Sequence, residues 1–271
     1  MATSNIKNLS HYYWGNPTAH INWCEEDYVI VPWIAEFHNT WTSLLFTVSG
    51  INALRVCYKW KLPYVYGIGC FALINTGIWS AYFHASLKWH GQKLDEISET
   101  ITLLCFLHSF QQPNIYLLIL HMVTSVIGIL FIEKWFCEIH LIAVVLLCLF
   151  QFYYLLQSNR YSFAKHFPNI GVGWNVFSKI ATFALIAAIT WLCDRVFCYN
   201  FFHKVFNPQL HAYGWHAFAC LSLNETIIGI AVMHLIERNK NLQLRICTFF
   251  FGSISYDVEI SNQSLLSKKI E

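Results

Sequence analysis

Charge is what this chain has least of. Only 12% of its 271 residues are Asp, Glu, Lys or Arg, against about 25% in ordinary soluble domains. A soluble fold of this size could bury one core but still needs a charged skin. Its 17 basic and 15 acidic residues do not make one. An excess of one sign is missing too: the net charge is +2, which argues against a nucleic-acid partner. The same apolar, charge-poor composition excludes intrinsic disorder. Residues 1–33 lack a basic n-region followed by an apolar h-region, so they do not read as a signal peptide and the first span must itself direct insertion. No internal repeat or low-complexity segment is evident. Gly/Pro-broken helix pairs in corresponding halves, a mark of many transporters, are missing by inspection.

What is present is apolar, with 56% hydrophobic and 17% aromatic residues. A helical span needs roughly 20 apolar residues, so seven use about 140, which the chain supplies. The charges punctuate apolar stretches, as a membrane chain requires. The reading is an all-α polytopic membrane protein, a seven-transmembrane-helix bundle. Its spans are Ile34–Val56, Pro63–Phe83, Asp95–Phe110, Asn114–Ile132, Glu138–Gln157, Val176–Tyr199 and Leu210–Ile236. Only Gln111, Gln112, Pro113 and Asn114 part the third from the fourth, so six spans with one re-entrant segment is the competing count. Residues 1–33 form a lumenal N-terminal segment, 34–236 a catalytic bundle and 237–271 a cytosolic tail.

Orientation follows from Lys and Arg. One side holds Arg55, Lys59, Lys61, Arg160, Lys165, Arg238, Lys240, Arg245, Lys268 and Lys269, and the other Lys7, Lys88, Lys93, Lys134, Arg195 and Lys204. The richer side is cytosolic, which puts the N-terminus outside or in a lumen. The ending Lys268-Lys269-Ile270-Glu271 resembles a dilysine retrieval signal, pointing to the endoplasmic reticulum with the Golgi as the alternative. Asn8-Leu9-Ser10 is a glycosylation sequon within reach of lumenal enzymes, whereas Asn224-Glu225-Thr226 lies in a span.

Ionisable groups inside a bilayer are costly and usually face a cavity or partner. Three clusters stand out. They are Asn22-Trp23-Cys24-Glu25-Glu26-Asp27 with Glu36, then Ser80 and His84 with Asp95, Glu96 and Glu99, and then His211 to His216. Three imidazoles plus a water make a tetrahedral catalytic zinc site, and His84, His211 and His216 supply them if spans two and seven converge. Spacing alone does not separate this trio from the other ten histidines. His108, His121, His140 and His234 also fall in spans, where an interhelical hydrogen bond is the plainer reading. Ser80 precedes His84 by four residues and shares its helical face. Asp95 opens the next span after a loop of about ten residues, where a carboxylate could take a proton or hold a ligand imidazole. Glu25, Asp27 and Glu36, with the Asn22 amide and the Trp23 carbonyl, suit calcium. By spacing alone a solvated acidic turn is the first reading there.

At these residues the chain resembles the alkaline ceramidases, seven-span zinc hydrolases related to the adiponectin-receptor-like membrane proteins. The resemblance is carried by Tyr13-Trp14-Gly15, Asn22-Trp23-Cys24-Glu25-Glu26 and Ala35-Glu36-Phe37-His38-Asn39. It continues through Ser80-x-x-Phe83-His84, Leu94-Asp95-Glu96, Trp191…Asp194…Cys198 and Leu210-His211…Trp215-His216, in order from about residue 13 to 236. It implies zinc on His84, His211 and His216, with Ser80 and Asp95 around the attacking water. It also implies calcium on Asn22, Trp23, Glu25, Asp27 and Glu36, and a disulfide between Cys24 and Cys198. The other eight cysteines read as small apolar residues. The implied reaction takes ceramide and water, within membrane lipid, to sphingosine and a fatty acid, with no obligate protein partner. The reading from a different class is a seven-span receptor-like or scaffold protein with a structural or vestigial metal site.

Two departures from the family pattern matter. Asn22 stands where the family has Asp, with Asp27 where Asn is common, so the carboxylate count is kept by exchange. The late histidines lie five apart instead of four. On a regular helix five residues turn about 500°, leaving the side chains about 140° apart. A π-bulge near Gly214 realigns them. Alternatively His211, close after Pro208, precedes the regular helix, or one histidine has left the metal and catalysis is lost.

Overall fold

The computed structural model describes residues 12–109, 114–132, 135–158, 172–198, 209–238, 245–249 and 253–257. The Asn8 sequon, Pro208, and Lys268 and Lys269 lie outside the described residues, as does the side chain of His234. Each of the seven expected stretches holds a helix. These are α1 (Phe37–Trp60), α2 (Tyr64–Ser86), α3 (Trp89–Ser109), α4 (Ile115–Phe131), α5 (Trp135–Ser158), α6 (Val172–Phe197) and α7 (Ala217–Arg238). A π-helical turn, Leu210–His216, leads into α7.

Local chemistry sets the boundaries. α1 stops at Lys61 and α2 at Leu87, both left-handed at φ 49° and 50°, which frees the chain to reverse. Pro63, with no N–H to lose, precedes α2. Asn114 caps α4, its side-chain oxygen accepting from the N–H groups of Tyr116 and Leu117 at 3.1 and 3.3 Å.

Two expectations are corrected. α3 begins at Trp89, six residues before Asp95, and only Leu87 and Lys88 separate it from α2. Its first turns carry His90, Gln92 and Lys93, so a reading by apolarity trims them, although backbone hydrogen bonding is indifferent to that polarity. The chain is also not wholly α. In the tail, β1 (Arg245–Phe249) pairs antiparallel with β2 (Ser253–Asp257), Arg245 opposite Asp257.

α1 packs on α2 and α2 on α3, while α7 and the π-turn close the ring between α1 and α6, and α4 and α5 lie against α3. Phe46, Tyr66, Leu73, Phe106, Phe152 and Ile230 form the main core. Small residues bring α1 and α2 close: a Cβ added to Gly50 would sit 2.7 Å from Ile74 Cγ1 and 2.9 Å from the Cys70 carbonyl. Among the described residues two helical segments are long and apolar enough to cross a membrane, Phe136–Leu155 and Phe177–Phe197, with mean hydropathies of 2.0 and 1.7. Ile115–Phe131 is apolar but shorter.

Candidate metal centre

His84 comes from the last turn of α2, and His211 and His216 from the π-turn. The i→i+5 bonding of a π-helix brings residues five apart onto one face, which answers the spacing problem. Ring centroids lie 5.3 Å apart for His84 and His211, 5.2 Å for His84 and His216, and 4.6 Å for His211 and His216. One nitrogen from each falls within 4.8 Å of the others, and all three side chains are buried. Left-handed Gln209 opens the turn at φ 49°. Gly214 lets it press on α6, because a Cβ there would lie 2.5 Å from Thr190 Cβ.

Neighbouring oxygens set two of the tautomers. The single hydroxyl proton of Thr42 goes to the His38 carbonyl at 2.7 Å. At its 2.8 Å contact with His216 Nδ1, Thr42 therefore accepts. His216 carries its proton on Nδ1 and offers the Nε2 lone pair. His84 Nδ1 donates in the same way to the Glu36 carboxylate, leaving its Nε2 for a ligand. An outer oxygen on the far nitrogen is the usual companion of a metal-bound imidazole. His211 stacks on Trp23 at 3.5 Å between centroids, and its Nδ1 is buried with no hydrogen-bond partner among the described residues. Three neutral nitrogens, two with fixed tautomers and one orphaned, fit a borderline ion such as zinc.

Ser80 and Asp95 flank the trio. The Ser80 hydroxyl lies against the Asp95 carboxyl and 3.1 Å from the Ser43 hydroxyl. Asp95 Oδ1 is buried and unpaired among the described residues. Asp95, His211 and His216 face a cavity of about 270 Å³ whose walls include Phe83, Trp191 and Trp215.

The acidic segment is braced against the same centre. Glu25 accepts from the N–H groups of His38 and Asn39 at 2.6 and 2.9 Å, capping α1 from outside the helix. Burial pushes the Glu25 carboxyl up to about 7, with the charges of Glu36 and Asp27 adding to the shift and the two N–H bonds opposing it. Glu36 accepts from the Trp23 N–H at 2.8 Å besides holding His84. Asp27 accepts from the Asn22 amide at 3.1 Å, and its second oxygen is buried without a partner among the described residues. Burial also raises the Asp27 carboxyl above its usual range. These carboxylates are neighbours, yet the tight three-donor cluster among the described residues is the histidine trio.

A disulfide joins Cys24 to Cys198, with Cα atoms 5.3 Å apart. Beside it Asp194 accepts from the Cys24 N–H at 3.0 Å and from the His211 N–H. Asp194 thus holds the N-terminal segment and the π-turn together. Neither it nor Thr42 was given a role by sequence reasoning. Asp194 had a signal, a carboxylate four residues before the cysteine in an apolar span. Thr42 had none.

Fold and site together define a class: a helical bundle with a buried tri-histidine cluster, and an acid, Asp95, that lines the same cavity and takes a hydrogen bond from a buried hydroxyl. The ceramidase family profile matches residues 15–256. The chain is 26% identical over 256 residues to "Alkaline ceramidase" of Arabidopsis thaliana, spanning 90% of this chain and 94% of that one. It is 24% identical over 241 residues to "Alkaline ceramidase 1" of Homo sapiens, spanning 83% and 85%. A shorter stretch of 87 residues, 31% of this chain and 27% of the other, is 42% identical to "Alkaline ceramidase YPC1" of Saccharomyces cerevisiae. The chain belongs to the alkaline ceramidase family and is an enzyme of that family.

Proposed function

We propose that the protein is an intramembrane zinc amidase that hydrolyses ceramide to sphingosine and a free fatty acid. The observation that carries the reading is the buried trio with two Nε2 lone pairs freed by Glu36 and Thr42, beside the unpaired Oδ1 of Asp95. Bound by His84, His211 and His216, zinc supplies a Lewis acid for the amide carbonyl and lowers the pKa of water towards ~7. Asp95 Oδ1 accepts the proton of the attacking water and returns it to the leaving nitrogen. Ser80 donates to the developing oxyanion or holds the water against Asp95. Trp23 keeps the His211 ring in plane.

Residue exposure supports the membrane setting. Large apolar side chains cover the outside of the bundle, among them Val48, Phe71, Ile127, Leu146, Phe150 and Leu185. The inside holds Glu36, Asn39, Thr42, Ser43 and Glu225. Polar inside and apolar outside suits lipid as solvent. It also explains why the helices around the site are less apolar along their length than Phe136–Leu155 or Phe177–Phe197, because they spend their polar residues inward. The cavity takes the amide end of the substrate, and the two tails remain in lipid. Oxidation of Cys24 and Cys198 supports a lumenal face for the site, in accord with the Lys and Arg bias. Calcium on Asn22, Trp23, Glu25, Asp27 and Glu36 is supported by an all-oxygen donor set and by the orphaned Asp27 Oδ1. It would relieve repulsion among carboxylates that burial already strains.

The test is turnover. The purified chain in detergent releases sphingosine from ceramide, a chelator stops it, and His84→Ala abolishes it. A metal-loaded protein that releases none would leave a seven-span scaffold with a structural ion.

A further inference from the structure

α3 carries more acid into the cavity than the reaction uses. Asp95, Glu96 and Glu99 all line it, and Glu138 of α5 lines it too. Two of these carboxylates are already occupied. Glu96 accepts from the Gln92 amide at 2.6 Å and from the Lys93 ammonium at 2.7 Å. Glu138 is paired with Arg195 at 3.5 Å. Glu99 has no hydrogen bond or ion pair among the described residues, and the charge beside it is that of Glu96, of its own sign. On the same cavity wall Asp95, only 8% exposed, keeps Oδ1 unpaired among the described residues. An unpartnered carboxylate inside a lipid-facing bundle is costly and marks the place of a ligand. We propose, on the strength of the amidase reading, that Glu99 is a specificity-determining residue which accepts a hydrogen bond from the 3-hydroxyl of the sphingoid base.

Position selects the hydroxyl. Asp95 and Glu99 are four residues apart, so they share a helical face and lie about 6 Å apart along α3. α3 starts at Trp89, shortly after His84 ends α2 at the metal centre, and runs away from it. Glu99 is therefore one turn deeper in the bundle than Asp95. Helical side chains lean back towards the N-terminus, which brings the longer Glu99 chain towards Asp95. In ceramide the amide-bearing carbon lies between two hydroxyls. The 1-hydroxyl is at the head, towards water, and the 3-hydroxyl is on the carbon from which the sphingoid chain descends into lipid. With the amide at Asp95, the chain-side hydroxyl falls on the side of Glu99. The chemistry agrees, since a carboxylate accepts and this hydroxyl donates. Leu141, Ile142 and Leu192 continue the wall with apolar surface suited to a chain.

The test compares ceramide with its 1-deoxy and 3-deoxy analogues on the full chain in detergent. The wild type should hydrolyse 3-deoxyceramide with a kcat/KM about 10- to 100-fold below that for ceramide, the range for a hydrogen bond to a charged group. In Glu99→Leu that ratio should shrink to within about threefold, because ceramide loses the contact and the 3-deoxy lipid has none to lose. The ratio for 1-deoxyceramide should be the same in both proteins. Glu99→Gln keeps the shape and one accepting oxygen, so it should fall between them, and it covers the case in which Glu99→Leu misfolds. The same lipids titrated into chelator-treated protein, followed by the fluorescence of Trp23, Trp191 and Trp215 on the cavity wall, should give matching ratios of affinity without turnover. A wild type that does not distinguish the 3-deoxy lipid, a 3-deoxy ratio unchanged in both variants, or a change in the 1-deoxy ratio instead would overturn the proposal. A purely structural Glu99 would lower all three substrates together and leave the ratios alone. A chain that binds with these ratios yet releases no sphingosine would remove the amidase reading and keep the Glu99 contact.

Discussion

Glu36 joins two chemistries in one side chain. It holds the Trp23 N–H in the acidic segment and the Nδ1–H of His84 in the metal centre. Glu36→Gln keeps the shape and removes the charge, so zinc affinity should fall about 10- to 100-fold in competition with a chromophoric chelator. Thr42→Val should act in the same direction through His216. An unchanged affinity in both would mean that these oxygens do not orient the ligands. The calcium reading has its own residue. Asp27→Asn leaves Glu36 on His84, so added Ca²⁺ should raise the melting temperature of the wild type and not of this variant, with zinc content equal in both. The chemistry of single residues was only partly legible in the sequence. The histidine trio was singled out by the resemblance to the alkaline ceramidases, because the cost of a histidine in lipid applies equally to His108, His121, His140 and His234. Thr42 and Asp194 were not, since a hydrogen bond to a ring or an N–H on a helix far along the chain leaves no local pattern.

Elements were easier to see than their ends. Seven apolar stretches marked seven helices because burial and lipid both select for apolarity. The start of α3 was missed because its first turns are polar. The tail hairpin was missed because its strands are short and mixed. The π-turn was the one irregularity that arithmetic on the sequence could raise, since five residues on an α-helix leave His211 and His216 facing apart. The structure adds the reason it fits: Gly214 meets Thr190 with no room for a Cβ. Gly214→Val should push the π-turn off α6, so bound zinc and turnover should fall together while the secondary-structure signal of the bundle remains. Deleting Gly214 should behave differently. It leaves His211 and His216 four apart on an ordinary helix, and zinc binding should persist at a measurable level. Zinc loss on deletion equal to that in Gly214→Val would sink the idea that the π-turn serves only to align the pair.

For the whole molecule, what matters is how a mostly apolar bundle keeps a polar centre in register, and the Cys24–Cys198 bond is a covalent tie between its two ends. It spans 174 residues. In the chain-entropy account a loop of that length stabilises by about 5 kcal/mol, an upper figure wherever helices persist after the tertiary contacts open. The tie sits beside Asp194, which holds the Cys24 N–H and the His211 N–H together. Opening it should therefore loosen the N-terminal segment and the metal centre at once. Cys24→Ser, Cys198→Ser and the double variant should lower the melting temperature by the same amount, because each removes the same single bond. A reductant should bring the wild type down to their level and leave the variants unmoved. Zinc should dissociate faster from all four reduced or substituted forms. If the reductant leaves the wild type unchanged while free-thiol labelling finds Cys24 and Cys198 both reactive, the bond is not formed in the purified protein. The lumenal placement of the site then loses its strongest support and rests on the lysine and arginine bias alone.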